Sequence, residues 1–143
     1  MNKLLIYVVC LASIFLSACY QTEILSVSKD NGVVTFYISE KTLDSHKANG
    51  YYFVDFGVSK DSCDKDCVVW EITEKDDISG NTKKRLNRPL IYGRNIEHMH
   101  TKTKAQPLLP GKYCAAGTAS LLYDNKVIDG KIFHKCFSIN SSD

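Results

Sequence analysis

Six cysteines are the residues of this 143-residue chain whose type and spacing could most readily do chemistry. Two of them, Cys10 and Cys19, lie near the N-terminus. The other four lie in the body of the chain, at Cys63, Cys67, Cys114 and Cys136. A thiol can carry a lipid, form a disulfide, bind a metal ion or attack a substrate, and the sequence around each cysteine favours one of these roles.

The sequence LSAC, Leu16 to Cys19, ends an N-terminal segment with one cation, Lys3, and thirteen uncharged residues from Leu4 to Leu16. A bilayer-spanning helix needs ~20 apolar residues, so this run is too short to cross a membrane and matches the apolar region of a secretory signal. LSAC resembles the lipobox of bacterial lipoproteins. The resemblance implies cleavage before Cys19, a diacylglyceryl group on its sulfur and acylation of the new amine. We therefore predict that residues 1–18 are a signal peptide and that Cys19 is the lipidation site.

Two or three acyl chains would make a stable anchor, because each buried CH₂ contributes ~0.8 kcal/mol and one chain binds only marginally. Tyr20 stands where lipoproteins retained in the inner membrane have an aspartate, so the resemblance implies the outer membrane, on its periplasmic side. We predict a short tether at residues 19–23 and a single domain at 24–143. We expect its partners to be the membrane and a protein of the cell envelope.

The four cysteines of the body are even in number, which in a secreted domain predicts disulfides. Three pairings are open in principle. If residues 111–139 form a hairpin centred near Asn125, Cys114 faces Cys136 with Cα atoms ~5.5 Å apart. Cys63 then pairs with Cys67 in the sequence CDKDC, whose acidic residues disfavour a reactive thiolate.

Other chemistry has little support in the sequence. His98 and His100 in EHMH could bind a metal weakly, but a closed zinc site needs further ligands, which only His46 or His134 could supply by folding. We predict no metal and no cofactor. The motifs G-x-S-x-G and G-x-x-x-x-G-K are absent, so we predict no enzyme. With 18 basic and 16 acidic residues, the chain lacks the strong positive charge that nucleic acid requires.

The sequence predicts that the elements that position the candidate functional residues are β-strands. Asn31–Gly32 predicts a tight hairpin within residues 24–39, in which opposed residue numbers sum to 63. This register places Val27 opposite Phe36 and Leu25 opposite Ile38, so both strands present an apolar face to the same side. A short helical turn could lie within residues 39–50.

Alternation along the remaining strands predicts which side chains point inward. Along YYFVDFGVS the inward set is Tyr52, Val54, Phe56 and Val58. Tyr51 and Phe53 would then form an exposed contact surface unless loops or a second sheet cover them. Along CVVWEIT the inward set is Val68, Trp70 and Ile72.

Further strands are predicted at 89–93, 111–122 and 131–139. Seven strands of this kind favour an antiparallel β-sandwich, immunoglobulin-like in broad outline, with a small β-barrel as the alternative.

A looser resemblance covers residues 68 to 114. The segments VVWEIT, PLIYGRNIE and AQPLLPGKYC are similar to blocks in small uncharacterised bacterial lipoproteins, a likeness that implies secretion and a β-rich fold but no activity. We therefore expect a membrane-anchored binding or accessory module of the envelope. The alternatives are an immunity or inhibitor protein against a toxin or cell-wall hydrolase, and an assembly lipoprotein of a secretion system such as a pilotin or a type VI accessory subunit. An enzyme that acts on envelope polymers is the third hypothesis.

Overall fold

The computed structural model describes residues 23–63, 67–75 and 87–141, which form two antiparallel sheets packed face to face. The elements in chain order are β1 (Leu25–Asp30), β2 (Val33–Ile38), α1 (Glu40–Ser45), β3 (Gly50–Lys60), β4 (Val68–Glu74), β5 (Leu90–Ile91), β6 (Met99–Thr103), β7 (Gly111–Tyr123) and β8 (Lys126–Ile139). One sheet has the strand order β1-β2-β5 and the other has the order β6-β4-β3-β7-β8. In the described part these sheets do not close into a barrel, so the predicted β-sandwich is confirmed.

The first hairpin has the predicted register. Leu25 pairs with Ile38 and Val27 with Phe36. Asn31 and Gly32 both adopt positive φ, 49° and 75°, as a type I′ turn requires. α1 follows directly, because the Ser39 side chain accepts a hydrogen bond from the Thr42 amide and so caps the helix N-terminus.

The second hairpin, β7–β8, turns at Asp124 and Asn125, whose φ values are 47° and 64°. The register shifts by one residue between Leu121 and Leu122, close to the turn. Beyond that bulge the pairing has the predicted register, so that Cys114 lies opposite Cys136.

A β-bulge at Val54 overturns the prediction for the first half of β3. Val54 has no partner on β7, since Phe53 pairs with Ala119 and Asp55 with Thr118. One extra residue reverses which side chains point inward. Tyr51 and Phe53 are therefore buried and Tyr52 and Val54 only partly so, which removes the predicted contact surface, whereas Phe56 and Val58 are buried as predicted.

A second bulge explains the error at the start of β4. Ser59 of β3 pairs with Val68 and Val58 pairs with Trp70, which leaves Val69 as the extra residue. Val69 is buried and Val68 is 41% exposed, although the sequence pattern places Val68 inward. Trp70 and Ile72 are buried as predicted.

The core lies between the two sheets and is rich in aromatic side chains. The Phe36 ring of the smaller sheet lies 4.7 Å from the Phe56 ring and 5.6 Å from the Phe137 ring of the larger one, measured between centroids. Trp70 continues this cluster toward Phe56 on one side and Tyr92 on the other. In the part of the chain that the structure describes, no helix is long and apolar enough to cross a membrane.

Candidate functional site

A cavity of about 340 Å³ opens where the chain crosses from one sheet to the other. β5 is the last strand of the smaller sheet and β6 is an edge strand of the larger one. The segment between them, together with the ends of both strands, lines the cavity. Its volume is in the range of sites that bind small molecules, ~300 to 1,000 Å³.

Hydrophobic side chains form most of the cavity wall, and charged groups lie among them. The apolar lining residues are Phe53, Pro89, Leu90, Ile91, Ile96 and Met99. Phe53, Leu90 and Met99 are buried in the core, so this part of the wall is rigid. The polar lining residues are Arg88, Arg94, Asn95, Glu97 and His98.

Two turns fix the crossing segment. The Arg94 amide donates to the Ile91 carbonyl at 3.1 Å, across a turn in which Gly93 adopts a φ of 76°. The Met99 amide donates to the Ile96 carbonyl at 2.9 Å, and this second turn leads into β6. Lys75, just after β4, donates through Nζ to the Glu97 carbonyl at 2.9 Å.

The arginine side chains give the cavity a local positive charge. Arg88 and Arg94 are both exposed, and within the described ranges neither guanidinium forms an ion pair. A guanidinium recognises carboxylate, sulfonate or phosphate oxygens through paired N–H donors. An apolar wall beside two such groups can bind a molecule that has a hydrophobic part and an anionic group.

The two histidines of EHMH do not act together. His98 lines the cavity, whereas His100 is exposed on β6 and pairs with Thr73 of β4. Among the described residues, one group of three potential metal ligands has its ligand atoms within 4.8 Å of one another: Cys114, His134 and Cys136. The two sulfurs of this group are at disulfide distance and thus are not available as thiolates.

Both predicted cysteine pairs lie at disulfide distance. The sulfurs are 2.00 Å apart for Cys114–Cys136 and 2.13 Å apart for Cys63–Cys67. The Cα atoms of Cys114 and Cys136 are 3.9 Å apart rather than the predicted ~5.5 Å, which is nearer the ~4.5 Å of a non-hydrogen-bonded antiparallel pair. The Lys60 amide donates to the Cys67 carbonyl at 2.8 Å, a bond that spans the chain segment containing the Cys63–Cys67 pair.

The chain enters the sandwich beside the edge strands β1 and β8, whereas the cavity lies beside β5 and β6. Glu23, the first described residue, forms an ion pair with Lys135 of β8. Its carbonyl accepts hydrogen bonds from the hydroxyl groups of Ser39 at 2.5 Å and Thr42 at 3.3 Å. Cys19, the predicted lipidation site, lies outside the described residues, four positions earlier in the chain.

No protein-family model, curated protein or solved structure matches this chain. Sequence reasoning missed the cavity, because the residues that line it come from β3 and from a segment with no regular alternation. The run from Arg88 to Met99 holds two arginines among apolar residues, a pattern that could have drawn attention to it.

Proposed function

We propose that this protein is a lipid-anchored binding module of the bacterial cell envelope. The observation that carries the proposal is the sequence LSAC, which ends a short apolar segment and stands four positions before the first described residue. Lipids on Cys19 hold the domain at the periplasmic face of the outer membrane. The two disulfide-distance cysteine pairs support this location, since disulfides persist in oxidising compartments.

The cavity beside Arg88 and Arg94 is the ligand site of the proposed module. Its ligand is a small molecule or peptide end that combines an apolar group with an anionic group. None of the described residues that line it is a serine, threonine or cysteine, so the wall offers no hydroxyl or thiol nucleophile.

The positions of the tether and the cavity also support a binding role. The chain enters beside β1 and β8, which are edge strands on one side of the sandwich, whereas the cavity lies beside β5 and β6 on the other side. The cavity therefore opens at a different edge of the sandwich from the one at which the chain enters.

Replacement of Cys19 tests the anchor. Cys19→Ser removes the sulfur that would carry the diacylglyceryl group, so we expect the uncleaved precursor to accumulate without lipid. Cys10→Ser is the matched control, because Cys10 lies within the segment that is removed. Detergent phase partition of radiolabelled cells should place the native and Cys10→Ser proteins in the detergent phase with incorporated fatty acid. Lipid incorporation into the Cys19→Ser protein would contradict the proposal.

A further inference from the structure

We infer that the β8 edge of the sandwich rests on the lipid surface of the membrane, with Ile132 in contact with the boundary between headgroups and acyl chains. This inference rests on the proposed lipid anchor. It adds the orientation of the domain and a second, non-covalent contact with the same membrane.

The length of the tether restricts which surface can face the membrane. Glu23 stands four positions after Cys19, so the lipid-bearing residue lies at most ~14 Å from Glu23 even if the chain is fully extended. Glu23 is itself held in place by Lys135 of β8 and by Ser39 and Thr42 at the start of α1. The surface around this entry point must therefore lie close to the lipid.

The most exposed large hydrophobic side chain of the described residues lies at this entry point. Ile132 is 81% exposed, and it lines the same cleft as Glu23 and Ile24. More apolar surface follows along the same hairpin, where Tyr123 is 53% exposed, Val127 55% and Ile128 47%. The free energy falls when a lipid interface removes exposed apolar side chains of this kind from water.

Cations accompany these apolar residues along the strand. Lys126, Lys131 and Lys135 all belong to β8, where Lys131 forms an ion pair with Asp129 and Lys135 forms one with Glu23. Lysine side chains can extend their charged ends toward lipid phosphates while their methylene groups lie against apolar surface. Among the described residues Lys126 forms no ion pair, so the edge carries one unpaired cation beside its apolar groups.

A lipid surface fits this edge better than an added β-strand does. Strand addition needs free backbone groups along the edge. One backbone group of β8 is already used, because the Ser138 carbonyl accepts a hydrogen bond from Lys29 Nζ at 3.0 Å. Side chains also lie along the strand, with Glu23 at Lys135 and His46 Nε2 3.7 Å from an Asp129 carboxylate oxygen. Lysines on an edge strand also oppose pairing with another strand.

The test uses tryptophan fluorescence in the lipidated protein, purified from membranes after its lipid has been verified by mass. The protein is reconstituted into phosphatidylethanolamine and phosphatidylglycerol vesicles in which part of the acyl chains carry bromine, a short-range quencher. The native Trp70 is buried in the core at 1% exposure, so it gives a constant background. Ile132→Trp and Ile128→Trp place a reporter on β8, and Val68→Trp places the control on β4, three strands away in the same sheet.

We expect brominated lipid to quench the indoles introduced by Ile132→Trp and Ile128→Trp about twofold, and that introduced by Val68→Trp little. Equal quenching at positions 68 and 132 would show that the whole sheet face, not the β8 edge, meets the membrane, and would overturn the inference. A blue-shifted Ile132→Trp emission without quenching would overturn it too, because a protein surface would then cover this position. Lipidated protein with no quenching refutes the orientation alone, whereas a mature chain without lipid refutes the anchor and the orientation together.

Discussion

At the scale of single residues, Tyr92 joins three parts of the chain next to the cavity. Its hydroxyl group donates to the Gln106 carbonyl at 2.7 Å and lies 3.2 Å from the Val69 carbonyl oxygen. Its ring contacts Trp70, with centroids 5.2 Å apart. Burial raises the pKa of the Tyr92 hydroxyl from 10.0 to about 12, because the charged form would lose its hydration.

This raised pKa predicts a pH dependence of stability. The neutral hydroxyl is favoured in the folded state, so the contribution of Tyr92 is complete below pH 10 and is lost as the pH rises toward about 12. We expect Tyr92→Phe to lower the free energy of unfolding by ~1 kcal/mol at neutral pH. Urea titrations of both proteins at pH ~8 and ~11 should show that this difference shrinks at the higher pH. A difference that stays constant would contradict the assignment.

Gly117 on β7 is a position where a side chain has no room. A Cβ atom there would lie 2.2 Å from the Asp55 carbonyl oxygen and 3.0 Å from Cζ of Phe133. Because the nearer contact is backbone, the strands would have to move. We expect Gly117→Ala to lower the free energy of unfolding by ~1 to 3 kcal/mol in thermal or urea unfolding.

Gly130 supplies the matched control for this substitution. It lies on the neighbouring strand, and a Cβ atom there would meet nothing within 4 Å among the described residues. Gly130→Ala should therefore leave the melting temperature almost unchanged. Equal effects of the two substitutions would show that β7 does not approach the Asp55 carbonyl as closely as the structure has it.

At the scale of elements, turn residues made the registers of the two hairpins predictable. β-Bulges made the inward-facing side chains of β3 and β4 only partly predictable. Asn31–Gly32 carries its turn geometry in its own residue types, so the register of β1–β2 follows from the sequence. The bulges at Val54 and Val69 leave no such signal, since both residues suit a regular strand. Among the described residues β6 brings the number of strands to eight rather than the predicted seven. The sequence did not predict β6, because MHTKT has one buried residue and no apolar alternation.

The β7–β8 hairpin predicts unequal contributions from the two disulfides. Cys114 and Cys136 are separated by 22 positions and Cys63 and Cys67 by 4. The chain-entropy model assigns ~3 kcal/mol to the larger loop and ~2 kcal/mol to the smaller. Cys114→Ala with Cys136→Ala should therefore lower the melting temperature more than Cys63→Ala with Cys67→Ala.

Peptide mapping without reductant is the check on the pairing itself. Fragments that link Cys114 to Cys136 are expected. A link from Cys63 or Cys67 to either of the other two cysteines would contradict the register of the last two strands, and with it the position of Ile132.

At the scale of the whole molecule, the two open edges of the sandwich have different characters. The β1–β8 edge holds the chain entry at Glu23, and the β5–β6 edge holds the cavity with its two arginines. Turn residues and alternation predicted the sandwich, whereas the lipobox and the short tether stay predictions. The sequence could not predict the cavity, because Phe53 and Met99 meet there only after residues far apart in the chain have folded together.

The cavity predicts the binding of small amphipathic anions. Anilinonaphthalene sulfonate combines an aromatic body with a sulfonate, and its fluorescence reports transfer into an apolar site. We expect Arg94→Gln and Arg88→Gln each to weaken its binding about three- to fivefold, the effect of an exposed ion pair. Lys126→Gln, at the opposite edge, removes the same charge and should have no effect. Equal losses in all three variants would indicate attraction by overall charge rather than a site.

The mass of the mature N-terminal peptide tests the central claim most directly. The native protein would be isolated from the membrane fraction, digested, and its first peptide measured by mass spectrometry. The lipid-anchored account predicts a peptide that begins at Cys19 and carries a diacylglyceryl thioether together with an amide-linked acyl chain. A mature chain with a free, unacylated N-terminal residue, whether at Cys19 or elsewhere, would contradict it.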